Sequence, residues 1–262
     1  MSLPSSELRQ PFLRLKGNGF TLLELLVVVA VVAVLAGLLL PVLAKAKDKS
    51  RGAKCSSNLK QMGNAFLLYA TDHADQLTPF NSGGPFNSPV VPHSLTNWWY
   101  QILSDGKYLS DVRHQNGVWR CPAVMDKDIQ NPFGVPMEGY GPLENTNALT
   151  GLPSIINYSF DHNGGRWGSA RLTDIQRASQ VWLVGDVGQP RDPNSIPAGG
   201  YKTEICTFAP STFGGWPQVI PKQPACRHNL KTKVCFVDGH IEEWNYGELS
   251  TNKNDVFALK QR

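Results

Sequence analysis

The stretch Gly19-Phe20-Thr21-Leu22-Leu23-Glu24, with the apolar run that continues to Leu43, decides how this chain is built. From Leu25 to Leu43 there are 19 consecutive residues without a charge. At a rise of about 1.5 Å per residue, a helix over this run is roughly 28 Å long, close to the hydrocarbon thickness of a bilayer. Glu24 stands at its entrance. At membrane depth an ionisable group costs on the order of 2–3 kcal/mol unless it finds a partner, so a use for this acid is expected.

The helix is predicted to outlast the membrane. From Ala44 to about Ala70 no Gly-Pro pair interrupts the chain, and Cys55, Leu59, Met62, Phe66 and Tyr69 recur at spacings of 4, 3, 4 and 3. That is one apolar stripe along a helix. The first half is therefore apolar all round and the second half is amphipathic, its stripe read as ordinary core.

Gly-Phe-Thr-Leu-x-Glu before a long apolar helix resembles the N-terminal signal of type IV prepilins and type II secretion pseudopilins. The resemblance implies that a prepilin peptidase/N-methyltransferase cleaves between Gly19 and Phe20 and methylates the new N-terminal Phe20. It implies that Glu24 pairs with the α-amine of a neighbouring pilin-like subunit, offsetting the desolvation of both charges. It also implies that Pro41 kinks the helix. A secretory signal peptide cut near Ala44-Lys45-Ala46 fits less well, because its apolar region would be too long and would contain an acid. Three basic residues in the leader (Arg9, Arg14, Lys16) face five after the helix (Lys45, Lys47, Lys49, Arg51, Lys54). Charge counting alone would keep the large domain in the cytoplasm. The cleavage motif is more specific than a difference of two charges, and it implies the opposite orientation.

A 19-residue leader removed from 262 residues leaves 243. Roughly 190 of these fall outside the membrane, enough for one globular domain with a core. The expected organisation is leader 1–19, transmembrane and assembly helix 20–43, amphipathic continuation 44–72 and an extracytoplasmic α+β domain 73–262. The net charge of +4 is modest, and no base-stacking or groove-reading motif accompanies it, so no nucleic-acid partner is expected. The five cysteines are Cys55, Cys121, Cys206, Cys226 and Cys235. Outside the cytoplasm some should pair and one must be left over. Spacing leaves the connectivity open; the resemblance implies Cys55 with Cys121.

Further along, Trp98–Leu109 reads as a short helix with Trp98, Trp99, Ile102 and Leu103 on one face. Val118–Cys121 reads as a short strand ending at Pro122, and Ile155–Phe160 as another. Thr173-Asp174-Ile175 reads as a turn before a buried strand Val181–Val184 that ends at Gly185-Asp186. Residues 187–226 hold seven prolines and form a long loop. Two apolar runs then flank Asp238-Gly239, a hairpin signal in which Asp-Gly supplies the positive φ of a type I′ turn. His228, nine residues and Asp238-Gly239 resemble the His-x9-Asp-Gly segment at the C-terminal end of a large group of prepilin-like proteins. Asn58-Leu59-Lys60-Gln61-Met62-Gly63 and Cys121-Pro122 also resemble that group.

His228, Asp238 and His240 are ligand types suited to zinc or another divalent ion. The hairpin argues against their convergence, so a structural role is preferred, with His228 bonding the turn or a neighbouring strand. Pseudopilins of one type bind calcium through acidic and carbonyl ligands. Asp186, Asp192 and Asn194 offer such ligands, but at no supporting spacing. No metal or cofactor is therefore expected. No Gly-x-Ser-x-Gly, P-loop or His-Glu-x-x-His is present.

The expected fold is α+β and pilin-like: a long N-terminal helix packed by its second half on a small antiparallel sheet with long loops. The expected protein is a non-catalytic subunit of a type IV pilus-like filament or type II secretion pseudopilus. It would be held in the inner membrane with its domain in the periplasm and would work with an assembly platform. The alternative is a membrane-anchored module that binds a glycan, secreted substrate or partner pseudopilin through Trp98-Trp99 and the 187–226 loop.

Overall fold

The computed structural model describes residues 20–79, 98–111, 117–129, 139–142, 169–190, 201–202, 223–249 and 251. The leader, the strand expected at Ile155–Phe160, Cys206, Asp192, Asn194 and most of the 187–226 loop lie outside the described residues.

One helix, α1 (Leu22–Asp72), runs without interruption through Pro41. Its start follows from a capping box. Thr21 is the N-cap, and its hydroxyl accepts the amide of Glu24 at 3.2 Å. The Glu24 carboxylate in return accepts the Thr21 amide at 2.9 Å and hydroxyl at 2.8 Å. Two of the unpaired donors at the helix start are thereby satisfied. The chain divides into two compact units, Met1–Ala46 and Lys47–Arg262. In the first, the leucines and valines from Leu22 to Leu43 are all exposed, none less than half. Among the described residues α1 is the one helix long and apolar enough to cross a membrane.

In the second unit the expected stripe is buried: Cys55, Leu59, Met62 and Phe66 are fully enclosed and Tyr69 is half-buried. Helix α2 (Trp99–Asp105) is shorter than predicted. Trp99 stacks on Phe66 with ring centroids 5.6 Å apart and lies 5.9 Å from Trp119. The tryptophan pair is thus no exposed platform; Trp99 is core and Trp98 half-buried. Residues 118–121 form a turn where a strand was expected, and the turn carries the amide of Val124 back to the carbonyl of Cys121 at 2.9 Å.

The strands are β1 (Tyr140–Pro142), β2 (Trp182–Pro190), β3 (Tyr201–Lys202), β4 (Gln223–Pro224), β5 (Lys231–Phe236) and β6 (Ile241–Asn245). They form an antiparallel sheet in the order β1-β2-β5-β6, with β3 and β4 paired to the later part of β2. Strand β2 runs on past the predicted stop at Gly185-Asp186. Gly185 and Asp186 have partners Gly141 and Tyr140, and beyond them Val187 pairs with Pro224. A local Gly-Asp turn signal is overridden by partners on both flanks.

The β5–β6 hairpin forms across Asp238-Gly239 as predicted, in register from Lys231–Asn245 to Cys235–Ile241. Its turn differs from expectation. Type I′ needs positive φ at both central residues; here Gly239 has it (φ +84°) and Asp238 does not. The Gly239 amide bonds the Phe236 carbonyl at 2.8 Å and the Phe236 amide bonds the His240 carbonyl at 3.0 Å. This is a turn closed by a left-handed glycine, which also matches the strand twist. The paired positive φ values occur instead at Asn229 (+54°) and Leu230 (+61°). There the His228 and Lys231 backbones exchange two hydrogen bonds of 3.1 Å.

Candidate functional site

Two features of this chain carry chemistry. The first is the N-terminal segment. Phe20 and Thr21 lie immediately ahead of α1, and Glu24 is on its first turn. The carboxylate is occupied by Thr21 and exposed, so it faces outward while capping its own helix.

The second feature is a buried cluster. The stripe of α1 turns Cys55 inward, onto the sheet. Cys121 enters from the turn before Pro122. Asp186 sits in the middle of β2 and is fully enclosed. His228 precedes β5 and is held by the Asn229-Leu230 turn. One ligand atom from each of the four lies within 4.8 Å of all the others. His228 Nε2 is 3.3 Å from Asp186 Oδ2 and 3.4 Å from Cys121 Sγ. Cys55 Sγ is 3.6 Å from both carboxylate oxygens of Asp186.

The surroundings hold these groups in place. Asp186 Oδ2 accepts the Lys233 amide at 3.2 Å. The Asp186 carbonyl accepts the Ala225 amide and the Thr232 hydroxyl. Arg227 Nη1 donates to the Val187 carbonyl at 2.9 Å. Asn58 donates to the Arg120 carbonyl at 3.0 Å, fixing the residue before Cys121 to α1. Burial pushes the Cys55 thiol well up. At Cys121 burial acts the same way, but hydrogen bonds from Cys55 and His228 outweigh it and bring the thiol down to about 7. Burial would also lower His228, yet the Asp186 carboxylate raises it to about 10. Asp186 is held low because His228 outweighs its own burial. Asp186 and His228 thus form a buried ion pair beside the two thiols.

Cys55 and Cys121, paired by expectation, are brought together as free thiols. His228 joins them, while Asp238 and His240 do not enter the cluster. Those two bond each other at 2.5 Å in the hairpin turn. The sequence offers Asp186 as a strand end and as an oxygen ligand beside Asp192 and Asn194. Its place beside two thiols and an imidazole depends on strand pairing that no local spacing encodes.

The motifs scattered along the chain meet on α1. Lys60 donates to the Gly239 carbonyl at 2.6 Å. A Cβ on Gly63 would stand 2.4 Å from Cys235 Sγ, so its absence lets β5 lie directly on the helix. Asn58, Lys60 and Gly63 therefore bind, in turn, the Cys121 turn, the Asp238-Gly239 turn and the strand between His228 and Gly239.

A known sequence family matches this arrangement at one end. Residues 14–40 match the prokaryotic N-terminal methylation motif. The chain is 40% identical over 85 residues to the type II secretion system core protein G of Escherichia coli (strain K12). The matched part is 32% of this chain and 58% of that relative, so the chain spans under two thirds of the relative's length. No solved structure matches. The motif, the apolar helix and the helix-on-sheet fold together support a prepilin- or pseudopilin-like protein.

Proposed function

We propose that this chain is a non-catalytic structural subunit, cleaved after Gly19, N-methylated on Phe20 and assembled with other pilin-like subunits into a type II secretion pseudopilus or type IV pilus-like filament. The observation that carries this reading is the start of α1. A capped helix begins two residues after the cleavage boundary, and its leucines and valines stay at least half exposed to Leu43. Such a surface needs lipid before assembly and neighbouring helices after it. A prepilin peptidase and an inner-membrane platform would process and extrude the chain, with residues 73–262 in the periplasm. Cleavage would leave the Phe20 amine one turn from Glu24, and a neighbour's amine would then compete with Thr21 for the carboxylate. A helix kink placed at Pro41 belongs to the same reading: α1 runs through this residue, and its missing N–H removes one helical hydrogen bond. The enclosure of Trp99 favours this reading over the glycan- or partner-binding alternative.

The test is the intact mass and N-terminal sequence of the chain extracted from membranes of cells holding a prepilin peptidase. A start at N-methyl-Phe20 is expected. A start at Met1, or after Ala46, would end the filament reading.

A further inference from the structure

The buried cluster of α1, the Cys-Pro turn, β2 and the hairpin has no part in processing or in the membrane helix, and the edges from His228 to Asp186 and Cys121 and from Cys55 to Asp186 have the lengths of a coordination sphere, with the remaining ligand atoms within 4.8 Å. In a tetrahedral zinc site, bonds of about 2.3 Å to sulfur and about 2.0–2.1 Å to nitrogen or oxygen place nitrogen and oxygen ligands about 3.3 Å apart. They place sulfur about 3.6 Å from either. The nitrogen–oxygen edge between His228 and Asp186 is 3.3 Å. The sulfur–nitrogen edge from Cys121 is 3.4 Å and the sulfur–oxygen edges from Cys55 are 3.6 Å.

Protons serve these four groups poorly. One ring position, His228 Nε2, faces both the Cys121 sulfur and the Asp186 carboxylate, and a single N–H cannot point well at two acceptors. The Cys55 thiol is likewise divided between two oxygens. A cation at the centre would reach all four ligands along separate bonds.

We propose that Cys55, Cys121, Asp186 and His228 bind one zinc-like divalent cation in a closed, structural, four-ligand site. Two thiolates and an imidazole select a borderline-soft ion over calcium or magnesium, which favour all-oxygen shells. With four protein ligands and a buried setting no coordination position is left for a substrate. Binding displaces the protons still held by the thiols and by His228, and no electron is transferred. The ion ties four segments that are remote in sequence and makes His228 of the His-x9-Asp-Gly segment a ligand, while Asp238-Gly239 closes the far end of β5 against Lys60. A Cys55–Cys121 disulfide would use the same two sulfurs, brought to about 2.05 Å, so disulfide and metal are mutually exclusive.

The experiment uses the full chain purified in detergent without chelator. Elemental analysis is expected to find one zinc per chain, and thiol mapping to find Cys55 and Cys121 reduced. Metal-stripped protein reloaded with Co2+ should give the visible bands of tetrahedral cobalt and a thiolate charge-transfer band, a readout that needs no variant. His228→Ala and Asp186→Asn should lose stoichiometric metal. Cys235→Ala, a buried thiol outside the cluster, should keep it. A Cys55–Cys121 disulfide in metal-free protein would overturn the proposal. So would reduced, folded chain that takes up neither ion, or loss of metal equal in Cys235→Ala and His228→Ala.

Discussion

Glu24 has two separable duties on this reading. Its carboxylate completes a capping box with Thr21, and its charge is proposed to meet a neighbour's amine. A glutamine keeps the hydrogen-bond acceptor and removes the charge; an alanine removes both. Glu24→Gln is therefore expected to leave helix content and cleavage after Gly19 unchanged while reducing incorporation into filaments. Glu24→Ala should add a loss of helix-start stability, because the Thr21 amide loses its acceptor. Circular dichroism, N-terminal sequencing and sedimentation of sheared filaments separate the cases. Filaments of Glu24→Gln at wild-type yield would remove the charge-pairing role. The same distinction between position and chemistry applies to the two histidines near the hairpin. His228 is buried against Asp186 and Cys121, whereas His240 stacks on Phe236 with centroids 4.5 Å apart and bonds Asp238.

At the scale of elements, the contact between α1 and β5 is set by glycines. Gly52 and Gly63 are three turns apart and so share a face. A Cβ on Gly52 would meet the flexible end of Lys233 at 3.4 Å and His228 Nδ1 at an ordinary contact of 3.9 Å, while one on Gly63 would stand 2.4 Å from the buried Cys235 sulfur. Glycine in a helix interior costs about 1 kcal/mol relative to alanine, so Gly52→Ala should be neutral or stabilising by up to that amount. Gly63→Ala should lose about 1–2 kcal/mol net, because overpacking outweighs the propensity gain. Unfolding followed by tryptophan fluorescence measures both, and equal stability of the two variants would contradict this packing. The hairpin signal at Asp238-Gly239 was legible because turn chemistry is local. The turn type was not, since a left-handed Gly after an ordinary turn and a type I′ pair satisfy the same strand twist. The Asn229-Leu230 turn was not legible either: leucine at positive φ goes against its own preference, and the flanking pairing of β5 imposes it.

For the whole molecule, burial is divided sharply. Among the described residues the leucines and valines of the first unit are exposed, while most apolar residues of the second are buried, in a main core from Cys55 on α1 to Leu249 and a small cluster of Ala225 and Cys226; Leu68, Met125 and Leu230 stay exposed. Residues 47–262, secreted alone, are expected to be soluble and to unfold cooperatively without detergent, while the full chain resists alkaline extraction from membranes. Fractionation and thermal unfolding check this, and a 47–262 fragment that aggregates would show that the core needs the first unit. The four cluster residues come from four segments of this second unit. None of those segments holds two of them, so their meeting is a property of the complete fold.

The sequence by itself determined the membrane-length helix, its amphipathic continuation and the final hairpin, because these rest on charge-free length, helical period and turn residues within a few positions of each other; the processing signal was read from resemblance. Resemblance alone had joined Cys55 to Cys121. That β2 continues through Asp186, and that His228 turns away from Asp238 toward two thiols and a carboxylate, were decided only by tertiary structure. Each depends on which strand lies beside which and on how closely a helix can approach a sheet, and such long-range pairings leave no periodic trace in a linear sequence.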